Sequence, residues 1–89
     1  MCRNIKPLFN FDPPATEHEI HEASLQFVRK MTGFRKPSKA NEAAFQAAVD
    51  AIAAVSSQLL GSLETNAPPR DRLEEAERAH ARALRRFAT

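Results

Sequence analysis

Phe45-Gln46-Ala47-Ala48-Val49-Asp50-Ala51-Ile52-Ala53-Ala54-Val55-Ser56-Ser57-Gln58-Leu59-Leu60 is the stretch on which the fold turns. It holds no glycine or proline, a single charged side chain, and many alanines, a composition that favours helix over strand. Phe45, Ala48, Ile52, Val55 and Leu59 recur at steps of three and four and share a face. Ala44, Ala47, Ala51 and Ala54 leave the other faces small rather than polar, so this helix is expected to be the central one, with neighbours packed close against it. Pro37 and Ser38 mark its start, with Ser38 the expected cap, and the spacing predicts a helix over about 38–62.

On the N-terminal side, Thr16 followed by Glu19 has the form of a capping box, in which hydroxyl and carboxylate satisfy the free amides of a helix start. A first helix over about 16–32 follows, with Ile20, Ala23, Ser24, Phe27, Val28 and Met31 as its buried stripe, Leu25 widening that stripe, and Gly33 as its stop. On the C-terminal side, residues 61–70 form a loop around Ala67, Pro68 and Pro69. A third helix over about 69–87, starting near Asp71, then carries a narrow stripe of Leu73, Ala76, His80, Ala83, Leu84 and Phe87. Asp71, Glu74, Glu75 and Glu77 stand in its first half and Arg82, Arg85 and Arg86 at its end, as the helix dipole favours, and Glu74 and Arg78 form an i,i+4 pair. The remaining segment, 1–15, reads as an extended arm that offers Ile5, Leu8, Phe9 and Phe11 to the core and ends in the stiff pair Pro13 and Pro14. The expected architecture is all-α: a compact three-helix bundle over 16–89, with the N-terminal arm laid on it.

With 89 residues, one core is all the chain can support, and a core this small leaves room for self-association or a stabilising partner. The net charge of +2 is too small to imply nucleic acid by itself, so the placement of charge matters more than its total. One cysteine excludes an internal disulfide. No secretory leader is read at the N-terminus, and no apolar run is counted as approaching the roughly 20 residues that span a bilayer. A cytoplasmic location without membrane contact is the resulting expectation.

The most concentrated chemistry lies at the junction of the first two helices. Arg29, Lys30, Arg35, Lys36 and Lys39 stand there without an intervening carboxylate, beside Ser38 and the amides of the next helix start. Cations beside a helix N-terminus suit phosphate, and Phe34, if exposed, would stack on a base. Arg3 and Lys6 are candidates to extend this surface. Against this, a short charge run is more often a solvated turn, with Phe34 covering the core. Cys2 is a second candidate: its thiol would lie beside the α-amine if Met1 were removed, a pair suited to metal or nucleophile chemistry, whereas a lone thiol is more often merely tolerated. His18 and His21 share a helix face but lack the further ligands that zinc requires, and His80 reads as a hydrogen-bonded packing residue. No metal or cofactor is expected, and no catalytic constellation or phosphate-binding glycine loop is present.

Met1-Cys2-Arg3-Asn4-Ile5-Lys6 and Phe11-Asp12-Pro13-Pro14-Ala15-Thr16 resemble the motifs of a family of small bacterial proteins defined only as a domain of unknown function. Leu25 to Lys30, Lys36 to Phe45 and Ala67 to Arg70 are similar to its other motifs, so the resemblance covers almost the whole chain. It implies no reaction, ligand or partner, and His18 and His21 fall outside its pattern. The residues therefore point to a non-enzymatic binding or accessory module docking phosphate-rich nucleic acid through Arg29, Lys30, Arg35, Lys36, Ser38 and Lys39. The alternatives are a protein-interaction or homodimeric module and a metal or redox role of Cys2.

Overall fold

The computed structural model describes residues 5–88, with side chains as far as Arg86. The first helix, α1 (Glu17–Thr32), begins as its sequence requires. Glu19 N donates to Thr16 Oγ1 at 3.1 Å, and Thr16 N donates to Glu19 Oε1 at 2.9 Å, a complete capping box. The helix ends at Gly33, whose φ of 76° lies in the left-handed region and whose amide donates to Arg29 O at 2.9 Å. A 3-10 turn, Lys39–Asn41, then leads into α2 (Glu42–Ser62). Ser38 precedes that turn without capping it: its hydroxyl accepts from Asn41 Nδ2 at 3.0 Å and bonds no helix amide.

Helices α1 and α2 run antiparallel, since Glu17 meets Ser57 (2.8 Å) while His21, further along α1, lies 3.9 Å from Asp50, further back on α2. The core between them is Val28, Phe45 and Val49, with Leu25, Ala48 and Ile52 packed around it; Ile20 is buried on α1 as well. Ser24, also buried, satisfies its hydroxyl by donating to Ile20 O at 2.8 Å. The expected α2 stripe holds at Phe45, Ala48 and Ile52 and departs from expectation beyond them. Val49 is fully buried, whereas Val55 and Leu59 are 65% and 55% exposed. On α1, Phe27 and Met31 are likewise exposed. Alanine around the rest of α2 leaves its sequence with little to set a phase, and the partner helix sets it instead.

The third helix, α3 (Arg72–Ala88), is reached through a short parallel pair, β1 (Phe11–Asp12) and β2 (Arg70–Asp71), with Phe11 opposite Arg70 and Asp12 opposite Asp71. This pair makes the chain mostly rather than wholly helical. Asn10, at φ 64°, prepares it: its amide side chain donates to Ala67 O and Pro68 O, and its carbonyl accepts from Arg70 N at 2.7 Å. Asp71 Oδ1 accepts from Glu74 N at 2.9 Å and so caps the helix start, which falls near Asp71 as expected. Extensive helix–helix packing is found between α1 and α2, while α3 is held at its beginning by the strand pair and the arm. Its expected core stripe faces outward: Leu73 is 69% and Leu84 56% exposed, His80 is exposed, and Ala83 alone of the described stripe is half-buried. A compact bundle would cover these residues.

Candidate functional site

The residue that joins the parts of the fold is Arg72. Its Nε donates to Pro13 O in the arm (2.8 Å), while Nη1 and Nη2 donate to Glu19 Oε2 (2.8 Å) and Oε1 (2.9 Å) in α1. This two-toothed geometry is the one for which a planar guanidinium is suited. Both Arg72 and Arg70 also lie over the Phe11 ring, at 5.6 and 5.7 Å from its centre. The bonds from Arg72, followed by the backbone amide of Thr16, hold the Glu19 carboxyl down at a pKa of about 2. The bond to Glu19 in turn raises the pKa of Arg72.

With the third helix held aside, an apolar groove stays open between α1 and α2. It has a volume of about 380 Å³ and is lined from α1 by Ile20, Ala23 and Phe27 and from α2 by Ile52 and Leu59. Ile5 and Leu8 of the arm line it as well, both half-buried. Val55 on α2 and Leu63 just past its end are exposed as well. The helical stretch Lys39–Ser62 is long and apolar enough to cross a membrane by length and composition, contrary to the expectation that no stretch reaches that length, and little of it is buried.

The cationic turn is a separate region. Gln26, Arg29, Lys30, Gly33, Phe34 and Arg35 surround an open polar hollow of about 510 Å³. Phe34 is 43% exposed, and Arg29 Nε donates to Arg35 O at 3.1 Å, which braces the turn. Lys36, Ser38 and Lys39 follow on the exposed approach to α2. Among the described residues, none of the turn's five cations is paired with a carboxylate. Lys6 lines a neighbouring depression with His18, Glu22 and Gln26 along α1, and Gln26 also borders the cationic hollow. Arg3 and Cys2 lie outside the described residues. No group of three or more metal-ligating side chains occurs among the described residues. His80 is exposed, not packed as expected.

The groove and the Arg72 clasp escaped the sequence reading, the groove because α3 was assigned to fill it, the clasp because its partners are 53 residues apart. The exposed leucines of the third helix were visible as a stripe, but a stripe does not name its partner. A family model described as an uncharacterized conserved protein (DUF2277) matches residues 1–78. No curated protein and no solved structure matches the chain.

Proposed function

The chain belongs to this family of uncharacterized conserved proteins (DUF2277), and from that premise we propose that it is a binding module whose groove between α1 and α2 receives an amphipathic helix of a protein. The observation that carries this reading is the exposure of Phe27 and Leu59 along one apolar cleft between two helices, with Ile20, Ala23 and Ile52 between them. A helix laid in such a cleft buries side chains at i, i+3, i+4 and i+7, a recurrent mode of protein recognition. Each large apolar side chain taken from water contributes up to about 1.5–3 kcal/mol, less what is already covered. The test is a titration of isotope-labelled protein with synthetic amphipathic helical peptides of leucine, lysine and glutamate. Chemical-shift changes centred on Ile20, Ala23, Phe27, Ile52 and Leu59, and abolished by Phe27→Glu with Leu59→Glu, are expected. Shifts scattered over the surface, or none from protein that sedimentation shows to be monomeric, overturn the reading.

A second reading concerns the cationic turn. Unpaired Arg35, Lys36 and Lys39 beside the exposed Phe34 favour docking of phosphate-rich, single-stranded nucleic acid with little reading of base sequence. Binding of oligonucleotides should then weaken steeply with salt and be lost on charge reversal at Arg35, Lys36 and Lys39. Affinity indifferent to both changes sinks this reading.

A further inference from the structure

We infer that the helix received by the α1–α2 groove is α3 of a second copy of this chain, running antiparallel to the host's α1 in a two-fold symmetric dimer. The inference rests on the groove reading above and names its occupant. The single chain exposes 7256 Å², whereas a compact monomer of 9.9 kDa exposes about 5,200 Å². Its radius of gyration is 15.7 Å, against about 12 Å for a compact chain of this length. The excess surface, about 2,000 Å², exceeds the roughly 800 Å² that each partner contributes to a standard interface.

The two unmet surfaces are complementary in kind. One flank of α3, formed by Arg72, Glu75, Ala76, Ala79 and Arg82, faces Lys6, Leu8 and Phe11 of its own arm. The edge that carries Leu73, His80 and Leu84 is left exposed, and α3, about 25 Å long, has the reach to lie along the groove of a neighbour. An exchange of one helix for the same helix closes on itself, so the dimer leaves no further groove open.

Charge sets the direction. Both α1 and α3 are acidic at the start and basic at the end, Glu17 and Glu19 against Arg29 and Lys30, and Glu74 and Glu75 against Arg85 and Arg86. Because Arg72 is clasped to Glu19, α3 starts beside the start of its own α1. Folded back onto its own groove it would run parallel to α1 and set like charge on like. A partner's α3 entering in the opposite sense sets its acidic half against Lys30 and the cationic turn, and its basic half against the acidic start of α1. Such exposed pairs are individually weak, so they select orientation while apolar burial supplies affinity.

Sedimentation equilibrium of the full chain, together with the peptide titration above, tests this. A reversible dimer is expected, weakened more than about thirtyfold by Leu73→Glu with Leu84→Glu and likewise by Phe27→Glu with Leu59→Glu. All four side chains are exposed in the single chain, and circular dichroism should confirm that both variants stay helical. Lys30→Glu should weaken the dimer several-fold, and Glu77→Lys added to it should restore the affinity. A chain that stays monomeric yet binds the synthetic peptides in the groove overturns the exchanged dimer and leaves the groove reading standing. A monomer that also ignores the peptides removes both. A dimer insensitive to the groove substitutions, or one that Glu77→Lys fails to rescue, overturns the assigned interface or its direction.

Discussion

Arg72 grips Glu19 with both terminal guanidinium nitrogens, at 2.8 and 2.9 Å, and Glu19 accepts at the same time from the amide that opens α1. One carboxylate therefore serves two structures. Arg72→Ala should free the start of α3 while leaving the α1–α2 core intact. The expected outcome is several-fold faster proteolysis across residues 63–71 with almost unchanged helicity. Arg72→Lys should recover little of the protection, since an ammonium cannot reproduce the paired donors.

The same contact fixes a pH dependence. The Glu19 carboxyl ionises at about 2 when clasped, against an ordinary value of 4.5. Its folded-state value is depressed, so the stability it contributes is complete above the ordinary value and is lost as pH falls from there through about 2. Carboxyl carbon shifts followed by NMR between pH 6 and 1.5 should show Glu19 titrating well below the ordinary 4.5, toward about 2. The proteolytic protection of residues 63–71, measured with an acid-active protease, should decline over the same acidic window.

Val49 and Val55 stand on the same helix with opposite fates, one fully buried and the other 65% exposed. Val49→Ala should cost about 2 kcal/mol through lost burial and the void left behind, whereas Val55→Ala in the monomer should stay within about 0.5 kcal/mol. Urea denaturation of the two variants at low protein concentration reads the difference. A larger loss for Val55→Ala than for Val49→Ala would mean that α2 turns Val55 rather than Val49 to the core.

The phase of α2 marks a limit of what could be read without the structure. Thr16 with Glu19, Gly33 and Asp71 signal their roles locally, because a cap or a stop is made by residues a few positions apart. Helix α2 is legible in part: Phe45, Ala48 and Ile52 mark its inner face, but small alanines beside them leave the edges of that face unset, and burial of Val49 depends on Val28 across the interface. The two-residue strands are too short to show alternation, and the Arg72 clasp depends on a pairing that no local spacing encodes. The cationic turn was legible because its members are neighbours in the chain. The groove was not, since it exists only where α3 does not lie.

Two backbone positions offer sharper checks. Gly33 has φ 76°, and a Cβ there would meet nothing within 4 Å, so Gly33→Ala tests backbone conformation alone. It should cost about 1–2 kcal/mol. Thr16→Ala removes one arm of the capping box and should cost about 1 kcal/mol. Thermal denaturation of both variants, with α1 amide exchange to locate the loss, distinguishes a weakened helix end from a general effect.

The parallel pairing of Phe11 with Arg70 brackets the helical hairpin, and the bond from Arg72 to Pro13 closes a loop of 59 residues. Closing so long a loop is entropically costly unless the intervening chain is already compact. The order of assembly follows: the hairpin condenses first on its own short-range contacts, and it brings the two ends of the bracket near enough to meet. The bracket is then the final step in folding and the first to open in unfolding, so the newly made chain presents a finished hairpin before its last helix has a fixed direction.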